Sequence, residues 1–101
     1  MKYLLYRPPG NVETDAMKHE LVAVEFGRNL HEATAALIRA VIEDLSSISE
    51  YKGYKITAQV LGTPISRRKV NHYDYNMLGI IYPTYAKQNI LIDYGVVEKE
   101  E

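Results

Sequence analysis

The chain has 101 residues, no cysteine and a formal charge of −1. A chain of that length folds as one domain and buries roughly 60% of its unfolded surface, so no staple is needed. Lack of cysteine excludes disulfides, thiolate metal sites and cysteine nucleophiles and fits a reducing, cytoplasmic setting, while the balanced charge excludes a global field that would draw nucleic acid, leaving local contacts only.

The opening MKYLLYRPPG is too briefly apolar for a signal-peptide core, and no apolar run reaches the length of a bilayer crossing. No membrane association is expected. Nine tyrosines stand against one phenylalanine and no tryptophan. Tyrosine joins apolar area to a hydroxyl and suits half-buried sheet faces and interfaces.

In chain order, residues 2–7 read as a first strand, ended by the turn Pro8-Pro9-Gly10-Asn11, and residues 12–18 as a loop. HELVAVEFG at 19–27 is nearly continuous in apolar residues, the pattern of a strand covered on both faces and central in its sheet. Residues 29–52 form the one long helical pattern. Leu30, Ala33, Leu37, Ile38, Val41, Ile42, Leu45 and Ile48 share one half of its circumference, and Glu32, Arg39, Glu43 and Glu50 the other. Asn29 as N-cap with Glu32 three residues on makes a capping box, and Gly53 marks the stop.

Beyond the helix, Tyr54, Ile56, Ala58 and Val60 alternate with Lys55, Thr57 and Gln59 as a strand with one dry and one wet face. Gly62-Thr63-Pro64 turns the chain. MLGIIY at 77–82 and NILIDYGVV at 89–97 are two more strands, and 98–101 is a solvated acidic tail. The expected fold is α+β, a single domain over 1–97 in the order β-β-α-β-β-β. Its sheet is about five-stranded and mixed, with the helix on one face as a crossover between parallel strands.

One helix about 10 Å across cannot cover a five-stranded sheet about 24 Å wide. The strands nevertheless carry apolar residues on both faces, as in Leu21 and Ala23 against Val22 and Val24, or Leu91 against Ile90 and Ile92. A second copy is the economical cover, since twofold dimers are the commonest assembly; the alternative is a tyrosine-rich face that tolerates water, with the tail or the 8–18 loop folded across it. Asp44 falls inside the helix's apolar arc. It either reaches water or a lysine at the arc's edge or serves as an acid in a cleft between helix and sheet.

The densest reactive stretch is 66–76, either a loop or the outer half of a long strand. Its Arg67, Arg68, Lys69, His72, Tyr73 and Tyr75 suit an anion or nucleotide, because guanidinium forks and ammonium groups hold phosphate or carboxylate and aromatic rings stack on bases. His72 and Asp74 share a face if the stretch is extended, but two ligands do not make a metal site. No serine has a base at fixed distance and no glycine-rich phosphate loop is present, so neither catalysis nor a cofactor is called for. Three readings remain. The first is a non-enzymatic module that self-associates through its sheet and binds a protein or small anionic ligand. The second is a nucleic-acid-binding protein using 66–76, and the third a small enzyme using His72 and Asp74.

Overall fold

The computed structural model describes residues 1–7, 20–61, 73–85 and 88–101. Its elements are β1 (Lys2–Arg7), β2 (Glu20–Phe26), α1 (Leu30–Ser46), a 3₁₀ turn (Ser49–Tyr51), β3 (Lys55–Val60), β4 (Tyr75–Tyr82) and β5 (Ile90–Lys99). The five strands form one sheet in the order β2-β1-β5-β4-β3, and every neighbouring pair is antiparallel. The class is the expected α+β, but the sheet is not mixed. β2 and β3 do run the same way, as a helical crossover dictates, yet β1, β5 and β4 lie between them. A helix of 17 residues spans about 25 Å against about 19 Å between the outer strands, enough to carry the chain from one edge of the sheet to the other. It packs against both edge strands.

β2 is an edge strand, not a central one. The pairing with β1 shifts between Leu5, opposite Ala23, and Tyr6, opposite Leu21, so Val22 is an extra residue in a bulge. The bulge breaks the alternation. Val22 and Ala23 both pack toward the core while Leu21 and Val24 are exposed. The unbroken apolar run LVAV therefore records a bulge rather than burial on two faces.

The core lies between helix and sheet: Ala33, Leu37, Val41 and Leu45, one residue per turn, meet Tyr3, Leu5, Met77, Ile81, Tyr94 and Val96. Gly79 lets the helix come close, since a Cβ there would collide with the Leu45 side chain.

At the helix start the Asn29 side chain accepts from the Glu32 amide at 3.0 Å. Glu32 answers one residue earlier than a standard capping box, accepting from the Arg28 amide at 2.9 Å and the Arg28 guanidinium at 2.8 Å. Arg28 holds the Glu32 carboxyl below its ordinary range. The helix stops at Ser46, short of the expected 52, because the Ser47 hydroxyl donates to the Asp44 carbonyl at 2.6 Å and the chain tightens into the 3₁₀ turn. Gly53, at φ 87°, makes the left-handed step into β3. β5 runs through Glu98 and Lys99, so the strand takes in the first half of the expected tail; it does so because β1 pairs with it as far as Lys2 opposite Lys99.

Candidate functional site

Outside the bulge in β2, strand alternation sorts the side chains to the helix-covered face or to the opposite, open face. On the open face, register places Leu4 and Tyr6 of β1 and Leu21, Val24 and Phe26 of β2. Leu78 and Ile80 of β4 and Leu91 and Val97 of β5 join them. Phe26 is 61% and Leu91 59% exposed. Lys2 and Lys99 are register partners at one end of this face, and Lys55 at the other lies 5.5 Å from the Tyr82 ring centroid. The exposed Asp93 of β5, opposite Leu78, interrupts the apolar set on this face; cations at the rim of a largely apolar centre are the ordinary anatomy of a contact surface.

Tyr73 is seated on this face. Its ring lies over Gly95, where a Cβ would collide with it, and 6.0 Å from the Tyr6 ring centroid. Glycine at 95 is thus required by a close approach rather than by a turn. Burial pushes the Tyr73 hydroxyl up to about 12, with the Tyr6 charge adding to it.

Of the residues expected to bind an anion, Arg67, Arg68, Lys69 and His72 lie outside the described residues. Tyr73 and Tyr75 are described, and they do not form one site. Asp74 bends the chain between them; its amide donates to the Val96 carbonyl at 2.9 Å and its carboxylate accepts from the Glu98 amide at 2.7 Å. Tyr75, opposite Val96, consequently turns to the helix side, where its hydroxyl donates to Glu98 at 3.4 Å. Burial first, then Glu98, raises the Tyr75 hydroxyl. The Asp74 carboxylate closes the start of β4 onto the end of β5, a structural duty that the expected pairing with His72 did not foresee.

The helix-side polar groups are matched to one another. Asp44 accepts a short hydrogen bond from the Tyr94 hydroxyl and lies 3.5 Å from Arg7 Nε, and Arg7 also bonds Glu20 at 2.7 Å. The Asp44 side chain is 13% exposed. Its protein partners are an arginine and a tyrosine rather than a lysine, and nothing local in the sequence signals residues so far apart. Burial, then the Asp44 bond, raises the Tyr94 hydroxyl strongly. These contacts pin the end of α1 to β1 and β5 and leave the carboxylate occupied. At the other end of the sheet the buried Tyr3 hydroxyl has no partner in hydrogen-bond geometry, although the Glu98 carboxylate is near enough to act on it. Burial, then Glu98, pushes that hydroxyl up to about 12.

Among the described residues no group of three or more histidine, cysteine, aspartate or glutamate side chains is placed to hold a metal ion. No helix of the described residues is long and apolar enough to cross a membrane. Comparison with known protein families, with curated proteins and with solved structures yields no match to this chain.

Proposed function

We propose that the protein is a non-enzymatic binding module of the cytoplasm that self-associates through the open face of its sheet. The assembled form grips a partner protein or a small anionic ligand. The observation that carries the reading is the exposed apolar set Leu21, Val24, Phe26 and Leu91 on one face of a single sheet. A face about 24 Å across and about 23 Å long offers about 550 Å² per copy and about 1,100 Å² per pair, just above the threshold for a specific contact. Arg67, Arg68 and Lys69 shortly precede Tyr73 in the chain, so self-association brings two such basic sets into one particle, where weak contacts to an anion act together.

The test is the mass of the particle by light scattering. Leu91→Lys puts a charge on the open face without touching the core, and it is expected to halve the mass while leaving the helical circular dichroism intact. A wild-type protein of single-copy mass at tens of micromolar, or an unchanged mass for a folded Leu91→Lys, overturns the reading.

A second reading, single-stranded nucleic acid on the open face, is favoured by the Tyr6–Tyr73 ring pair on a face that has Lys2 and Lys99 at one end and Lys55 at the other. It requires binding of an oligonucleotide that falls steeply with salt and weakens in Arg67→Ala/Arg68→Ala. A flat salt response removes it.

A further inference from the structure

The two edges of the sheet are finished differently. β2 carries the bulge at Val22 and an exposed Glu20, devices that blunt an edge against further pairing. β3 also bears a charge, the exposed Lys55 at its first position, but carries neither a bulge nor a proline, and pairs with β4 residue for residue from Lys55 opposite Tyr82 to Val60 opposite Met77. The phase of its ladder follows from one bond. The Leu61 amide donates to the Asn76 carbonyl at 2.8 Å, continuing the same register, and antiparallel ladders alternate bonded with non-bonded pairs. Lys55, Thr57 and Gln59 therefore aim their main-chain groups at β4. Ile56, Ala58 and Val60 aim theirs away from the sheet, while their side chains pack against the core.

We propose that this edge pairs antiparallel with β3 of a second copy, about a twofold axis at Ala58, so that the two sheets become one continuous sheet. In that register Ala58 faces Ala58 of the second copy, and Ile56 faces its Val60. Each such pair exchanges two main-chain hydrogen bonds. On the other face Thr57 stands opposite Gln59 of the second copy and Lys55 opposite its Leu61. Apolar residues meet apolar, hydroxyl meets amide, and no like charges are opposed. This self-complementarity is what selects a second copy over an unrelated extended chain. The edge is independent of the open face, and with both in use the particle closes at four copies where the two twofold axes meet at right angles.

Ala58→Pro removes only an outward amide, which an edge strand tolerates, and is expected to halve the particle mass with the helical signal intact. Adding it to Leu91→Lys is expected to leave single copies. An unchanged mass for a folded Ala58→Pro overturns the edge pairing and leaves the open-face reading standing; a mass halved by Ala58→Pro but untouched by Leu91→Lys does the reverse. Should Ala58→Pro fail to fold, amide exchange of the wild-type protein decides. The Ile56, Ala58 and Val60 amides are expected to be slow in the assembly and fast in diluted single copies, with Thr57 and Gln59 slow in both. Fast exchange of the three in the assembly, or slow exchange in single copies, overturns the proposal.

Discussion

On the helix side of the sheet Tyr3, Leu5, Met77, Ile81, Tyr94 and Val96 are buried, whereas on the opposite side Leu21 is 48% and Val24 37% exposed. β5 alone supplies both kinds, burying Tyr94 and Val96 on the helix side while Leu91 is 59% exposed on the other, so apolar content alone does not decide which face is covered. α1 decides it, by lying diagonally across one side from β2 to β3. The covered side also contains the matched polar groups Arg7, Asp44 and Tyr94, while the open side confines its lysines to the rim. The helix-covered face differs from the exposed one less in its greasiness than in how its polar groups are satisfied.

Alkaline titration breaks that comparison most severely. Tyr3 and Tyr94 on the covered side and Tyr73 on the open side all have hydroxyls raised above 10.0, chiefly by burial. A raised tyrosine stays protonated in the folded state while the unfolded chain ionises, so its contribution is intact below about pH 10 and lost as pH climbs toward about 12. Stability is expected to be flat with respect to these groups up to pH 10 and then to fall, with the phenolate absorbance of Tyr3 and Tyr94 appearing only on unfolding. Titration of all nine tyrosines near 10 in the folded protein would contradict this.

Truncation sharpens the contrast between faces. Leu37→Ala is expected to cost about 3 kcal/mol in urea unfolding, and Leu91→Ala, read on dilute single copies, less than about 0.5 kcal/mol. Equal costs would mean that the open face is packed within the chain. Asp44→Ala strands the buried Tyr94 hydroxyl and takes one of two carboxylates from Arg7, which keeps Glu20, an expected loss of about 2 kcal/mol; a loss near zero would show that the contact does not pin the helix. The smallest effect is at the cap. Asn29→Ala leaves the Glu32 amide unbonded, at about 1 kcal/mol and about 5 °C in melting temperature.

The helix was readable from its i, i+4 stripe and β3 from its alternation, whereas β1, β2, β4 and β5 were readable as short apolar runs bounded by turn residues. Strand order was not: β5 slips between β1 and β4, a pairing of residues at opposite ends of the chain. β2 was misplaced because a bulge imitates a buried run. The apolar open face was legible as a surplus over what one helix covers. The partners of Asp44 and the turning apart of Tyr73 and Tyr75 at Asp74 were not, since both depend on contacts between distant elements.

The surplus apolar face is tested most directly by the solvent accessibility of its methyl groups in the assembled protein, measured as relaxation by a soluble paramagnetic agent. The Leu21, Val24 and Leu91 methyls are expected to be shielded in the assembly and strongly relaxed in Leu91→Lys, where Leu21 and Val24 remain as reporters. Strong relaxation of these methyls in the wild-type protein at every concentration would show a face that stays wet and covers nothing.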